Sequence, residues 1–107
     1  LASTIAQLAN ITIPYTPNGK SLVPLFTSPS TPLRDDFLIE HAKILGVPTT
    51  TKGVRTTQYK YVELGTGEKE FYDLAVDPFE MNNAVNNPSY AAIISQLKTR
   101  LVALKLE

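Results

Sequence analysis

Two short alternating runs joined through a pair of glycines constrain this chain more than any other feature. "YKYVEL" (Tyr59 to Leu64) leads through "GTGEK" into "EFYDL" (Glu70 to Leu74). Alternation of aromatic or branched residues with polar ones gives a strand with two unlike faces, and a glycine-bearing turn between two such runs predicts an antiparallel hairpin. "DFLIEH" (Asp36 to His41) and "GVRT" (Gly53 to Thr56) supply two further strand candidates upstream. The intervening residues 42–52, "AKILGVPTTTK", have no clean period and read as a loop. Strands that follow one another with short connections predict an antiparallel sheet with one face wet.

Such a sheet must bury its apolar face, and the end of the chain provides the cover. "NPSYAAIISQLKTRLVALKLE" opens with Asn87 as a helix cap and Pro88 at the first helical position. Tyr90, Ile93, Ile94, Leu97, Leu101 and Leu104 then form one apolar stripe, with Lys98, Arg100 and Lys105 assigned mostly to other faces. At the other end, Leu1, Ile5, Leu8 and Ile11 recur at helical spacing, and Ile13-Pro14 is the expected stop. Five of the eight prolines fall between Pro14 and Pro32, which makes the stretch after the first helix a proline-rich belt. The fold class is therefore α+β: a small antiparallel sheet of about four strands on a C-terminal amphipathic helix, preceded by an N-terminal helix and a proline-rich connecting segment. Residues 1–34 and 35–107 form the two predicted parts. The first has too little apolar sequence of its own to be expected to hold a core.

Composition removes several function classes. The 107 residues carry ten basic and ten acidic side chains, so there is no electrostatic footprint for nucleic acid or an anionic membrane. There is no cysteine, which excludes disulfides, thiolate metal sites and a cysteine nucleophile. No apolar run is long enough to span a bilayer. The sequence starts at Leu1 in mid-helix, which leads us to expect a piece of a longer protein.

Between the hairpin and the last helix lies "LAVDPFEMNN". Asp77 can cap, Pro78 fills a first helical position, and Glu80 sits where a capping box would reach back to the Asp77 amide. We therefore expect Asp77, Pro78 and Glu80 to form a structural corner with one helical turn, closed by Asn82-Asn83 as a left-handed stop.

Read together, "GVRTTQYKYVELGTGEKEFYDLAVDPFEMNN" and the amphipathic helix behind it resemble the C-terminal end of the formylglycine-dependent sulfatases, which close on a VRT, YKY, YDL, DP-x-E, N series. "TIAQLANI" and "NGKSLVPLF" also resemble the segment with which that family's large alkaline-phosphatase-like domain ends. "LIEH" with "YKYVEL" is most similar to the branch acting on 6-sulfated N-acetylglucosamine. The resemblance implies that residues 1–34 end the catalytic domain and that 35–107 form a C-terminal subdomain of a sulfuric-ester hydrolase acting on sulfated saccharides or aryl sulfates. It implies a parent that uses calcium and formylglycine, partnered by its N-terminal sulfatase domain and by a sulfated small molecule or glycan. That parent would be secreted, periplasmic or lysosomal. The chain itself carries neither cofactor: Thr27-Ser28-Pro29-Ser30-Thr31 has threonine where the nucleophile precursor belongs and threonine where the family has arginine. No residue here is assigned a catalytic or metal role, and the chain alone is expected to be inactive and to self-associate through uncovered apolar surface.

His41 and Arg55 remain as candidate substrate-binding residues. His41 is the single histidine, so no histidine cluster or Ser-His pair can be built on it. It is either a local hydrogen-bonding residue at a strand end or, with the 42–52 loop, a contact to the sugar. An arginine inside a strand requires a partner if buried, so Arg55 is either half of an ion pair or a substrate contact. Tyr59, Tyr61 and Tyr72 offer cross-strand packing or a stacking face. Asn10-Ile11-Thr12 matches a glycosylation sequon. The alternative to the sulfatase reading is a non-catalytic α+β module that binds carbohydrate or protein.

Overall fold

The computed structural model describes residues 1–43 and 49–106 and contains two compact units, Leu1–Asp35 and Asp36–Glu107. Part of the expected 42–52 loop, residues 44–48, lies outside the described residues. The architecture is α+β, as the sequence predicts.

In the first unit, helix α1 (Ala2–Leu8) is shorter than the apolar spacing implies. Asn10 adopts φ +56°, the Asn10 amide donates to the Gln7 carbonyl, and the Ile11 amide donates to the Ala6 carbonyl at 2.8 Å. This is a Schellman closure with asparagine in the left-handed position, so the helix stops before Ile13-Pro14 is reached. Helix α2 (Val23–Thr27) is a single turn with Pro24 near its start, where a missing amide costs nothing. The Thr4 hydroxyl accepts from the Leu22 amide at 2.9 Å, and the Ser3 hydroxyl donates to the Gly19 carbonyl. Two cations clasp the belt: Lys20 Nζ donates to the Leu33 carbonyl at 2.8 Å and Arg34 Nη2 to the Asn18 carbonyl at 2.7 Å.

The second unit is a four-stranded antiparallel sheet in the order β1-β2-β3-β4, built from β1 (Asp36–His41), β2 (Thr51–Thr56), β3 (Tyr59–Leu64) and β4 (Lys69–Asp73). At the β2–β3 turn the Thr56 hydroxyl accepts from the Tyr59 amide at 2.9 Å. The glycines of the β3–β4 hairpin serve different needs. Gly67 has φ +94°, which a side chain resists, whereas a Cβ on Gly65 would come within 2.7 Å of the Thr50 hydroxyl oxygen.

A 3₁₀ turn, Pro88–Tyr90, opens the final helical segment, with the Asn87 side chain accepting from the Ser89 amide at 3.0 Å. It runs directly into α3 (Ala91–Leu106), which lies against β1, β2 and β3. Leu97, Leu101 and Leu104 meet Val54, Tyr61 and Phe71 in one core, and Ile93, Ile94 and Tyr90 pack at its margin. Each fully buried side chain of this size contributes about 1.5–3 kcal/mol. Phe71 joins Tyr59 and Tyr90 with ring centroids 5.7 and 4.9 Å apart. The charged residues of α3 do more than face water. Arg100 grips Asp36 of β1 with two nitrogens, the longer contact at 3.0 Å, and Lys105 lies 3.5 Å from Glu63 of β3. They flank the apolar stripe because long side chains beside a packed face can reach the strands it covers.

Two outcomes test this packing. A Cβ at Gly53 would sit 2.6 Å from the Tyr61 carbonyl oxygen, so Gly53→Ala forces β2 away from β3 and is expected to cost about 1–3 kcal/mol in a denaturant titration. Burial, followed by the hydrogen bond and charge of Glu63, raises the Tyr61 pKa from 10.0 to about 12. The folded state thus holds the phenol neutral while the unfolded chain ionises. This contribution to stability is complete below pH 10 and disappears as the pH rises through about 12. Denaturant midpoints measured from pH 9 upwards should fall more gently for Tyr61→Phe than for the wild type.

Candidate functional site: a braced corner and the sheet face away from the helix

The corner that follows β4 is held by side chains acting on backbone. The Asp73 carboxylate, 8% exposed, accepts from the Ala75 amide and Gln58 Nε2, both at 3.1 Å, and from the Tyr90 hydroxyl at 3.2 Å. Burial first, then the hydrogen bond and charge of Asp73, push the Tyr90 pKa up. The Asp77 amide donates to the Asp73 carbonyl at 2.8 Å, while the Asp77 carboxylate accepts from the amides of Met81 at 3.0 Å and Asn82 at 2.8 Å. Pro78 occupies the second place of a turn closed by the Glu80 amide on the Asp77 carbonyl at 3.2 Å.

The Asp77 carboxylate therefore holds backbone amides of the loop, but neither the helical turn nor the capping box expected here forms. Glu80 has φ +55°, and its carboxylate points to Lys60 Nζ at 2.6 Å. The Asp77 amide that a box would need is already bonded to Asp73. Lys60 also lies 5.9 Å above the centre of the Tyr72 ring, and the Tyr72 hydroxyl donates to Glu70 at 3.2 Å. Burial leads the upward shift of the Tyr72 pKa, with the charges of Glu70, Glu80 and Asp77 adding to it.

Sequence reasoning gave Asn83 the wrong task. Its side-chain oxygen accepts from the amides of Phe71 at 3.0 Å and Val85 at 3.1 Å, while its nitrogen donates to the Lys69 carbonyl at 3.0 Å. One amide group thus imitates a neighbouring strand along the outer edge of β4. Its one available sequence signal was an asparagine, both donor and acceptor, following an edge strand.

The structure separates the two candidate binding residues. His41 pairs with Thr51 and Arg55 with Phe37, so both lie on the sheet face away from α3 but about 13 Å apart along the strands. His41 is half-buried at the end of β1. Arg55 is half-buried, its Nε donates to the Thr56 carbonyl at 3.0 Å, and among the described residues it has no carboxylate partner. Tyr61 is core and Tyr59 stacks on Phe71, which leaves Tyr72 under its lysine as the tyrosine of the three on the face away from α3. Among the described residues no group of three or more His, Asp or Glu side chains is placed to hold a metal ion.

Replacing Asp77 with Ala is expected to cost about 1 kcal/mol in thermal or chemical melts, the usual size of a lost side-chain to backbone hydrogen bond. Because Glu80 bonds to Lys60 rather than to the capped amides, its coupling should appear in a Lys60/Glu80 double-mutant cycle. The expected coupling is about 0.5–1 kcal/mol and should weaken with salt. Strong coupling of Asp77 to Glu80 with none to Lys60 would restore the capping box.

The sequence model of the family "N-sulphoglucosamine sulphohydrolase, C-terminal" matches residues 1–107. Among curated protein sequences none matches the chain. Solved structures do. BT4656, solved in complex with its substrate D-glucosamine-2-N,6-O-disulfate, superposes with a TM-score of 0.86 at 27% identity over 95% of this chain. BT1596, a 2-O GAG sulfatase, gives 0.79 at 29% identity over 94%, and a protein described as a "putative sulfatase" from Bacteroides thetaiotaomicron VPI-5482 gives 0.78 at 28% over 94%. The chain spans 22% of the length of each of these three proteins.

Proposed function

The chain belongs to the N-sulphoglucosamine sulphohydrolase C-terminal family, and we propose that it is the C-terminal part of a sulfuric-ester hydrolase acting on sulfated amino sugars or glycosaminoglycan fragments. The family match along all 107 residues carries this reading, and the shared fold with much longer sulfatases supports it. In this reading residues 1–34 end the catalytic domain, and residues 35–107 complete the fold and form one wall of the substrate cleft.

Helix α1 supports the first assignment. It turns its polar side inwards: Thr4 is 5% exposed and bonded to the belt, while Leu1, Ile5, Leu8 and Ile11 are each more than half exposed. An amphipathic helix that uses its hydroxyls inside its own unit and leaves its apolar stripe uncovered is built to lie on a surface elsewhere. The wall of the cleft would be the end of the sheet at His41. Arg55, about 13 Å away along the same face, lies outside that wall.

The catalytic groups would come from the rest of the parent. Formylglycine and calcium, implied by the family, do not fit the residues here. There is no cysteine, the Ser28-Pro29-Ser30 lookalike lacks its arginine, and the described residues offer no metal-holding cluster. The full-length parent should release sulfate from D-glucosamine bearing N- or 6-O-sulfate, and His41→Ala should raise its KM several-fold with kcat little changed. Absence of sulfate release across N-, 2-O- and 6-O-sulfated saccharides would overturn the assignment and favour a binding module. Residues 1–107 alone should show no turnover and should self-associate in sedimentation as concentration rises.

A further inference from the structure

Lys43, Lys69 and Lys98 are exposed, and among the less exposed cations described in the second unit Arg55 is the exception. Lys52 is paired with Glu40 at 2.9 Å and Lys60 with Glu80 at 2.6 Å, while Arg100 is paired with Asp36 and Lys105 with Glu63. Arg55 is half-buried in an inner strand, yet among the described residues no carboxylate meets it. It stands directly opposite Lys60 in the β2–β3 register, a like-charge pairing that a sheet tolerates poorly without an anion between. Glu80 answers Lys60 and leaves the guanidinium with one carbonyl. Its neighbour on the other side is Phe37, 49% exposed and opposite it across β1 and β2. A guanidinium beside an exposed aromatic ring, on a sheet face turned away from the core, has the chemistry of a surface completed by an acidic group set among apolar ones.

We propose that Arg55 is the cationic half of an interdomain ion pair. Its partner is an aspartate or glutamate on an apolar surface of the parent's larger domain, which seats against Phe37 and Arg55. The proposal rests on the reading of this chain as the C-terminal part of a larger hydrolase. It makes Arg55 a docking residue rather than a contact to the sugar. Docking suits the position: Arg55 lies on an inner strand near one end of the sheet face, where a rigid strand can fix the partner's register.

The test uses the full-length parent. Limited proteolysis should report opening between the domains through cleavage in the tether of residues 27–35. Arg55→Gln, which keeps the hydrogen bond to Thr56 feasible, should speed that cleavage about tenfold, and Arg55→Glu should speed it further. Arg55→Lys, which keeps the charge, should fall between Gln and the wild type. Changing the matching carboxylate of the larger domain to lysine should restore slow cleavage in the Arg55→Glu background. The KM of the parent for its sulfated saccharide should not move in Arg55→Gln. Wild-type cleavage rates in Arg55→Gln overturn the proposal, as do equal losses in Gln and Lys. Unchanged cleavage with a raised KM would assign Arg55 to the substrate instead. Cleavage does not depend on turnover, so a parent that releases no sulfate would sink the sulfatase reading and leave this measurement standing.

Discussion

The Asp73 carboxylate is the interaction on which the second unit depends. It is nearly buried, and it is bonded to the β2–β3 turn through Gln58, to the corner through Ala75 and to the entry of the last helix through Tyr90. Its own carbonyl then receives the amides of Val76 and Asp77. A charge in that position is costly unless its lone pairs are satisfied, and here each donor comes from a different stretch of chain. The helix can lay its leucines on the sheet only if the chain leaves β4 in the right direction, and Asp73 sets that direction. Removing it would strand donors at three places at once, a larger effect than the loss of any one bond.

Asn83 extends the same logic to the edge of the sheet. An outer strand presents unpaired amides and carbonyls that invite another chain. On β4 the side chain of Asn83 and the amide of Ala84, which donates to the Phe71 carbonyl at 2.9 Å, close that edge with a returning loop instead of a fifth strand. The corner can therefore be short and irregular without leaving the sheet open. The left-handed Glu80 belongs to this solution. A residue in that conformation carries a backbone cost, offset here by the Lys60 pair and by the turn it completes.

What was legible in the sequence follows from periodicity. The strand at Tyr59–Leu64 appears where alternation places it, the one at Asp36–His41 where a short apolar run bounded by charges does, and the stripe from Tyr90 to Leu104 faces the core as its spacing requires. The corner was legible as a corner and illegible in its wiring. "DPFE" fits a capping box as well as it fits a proline turn, and only the prior use of the Asp77 amide by Asp73 decides between them. The end of α1 was misplaced for a similar reason: Asn10 is an unremarkable polar residue until its left-handed backbone closes the helix ahead of the expected proline stop. The separation of His41 from Arg55 was hidden because register is a tertiary fact. Both residues carry recognisable chemistry, but only strand pairing puts them at opposite ends of one face.

The two units solve burial in opposite ways, and the contrast locates the source of each one's stability. The second unit encloses Val54, Tyr61, Phe71 and Leu101 almost completely and pairs most of its semi-exposed cations internally. The core and most of the half-buried charge are satisfied within its own residues, so sheet and helix can define one another. The first unit spends its hydroxyls and cations on backbone carbonyls and amides, through Ser3, Thr4, Lys20 and Arg34, and leaves its large apolar side chains outside. Hydrogen bonds of this kind fix a shape but add only about 1 kcal/mol each against the entropy of an ordered belt. A segment organised in that way holds its conformation firmly only when its apolar stripe is covered. The unit Leu1–Asp35 thus leaves its apolar stripe uncovered, whereas Asp36–Glu107 brings a core of its own.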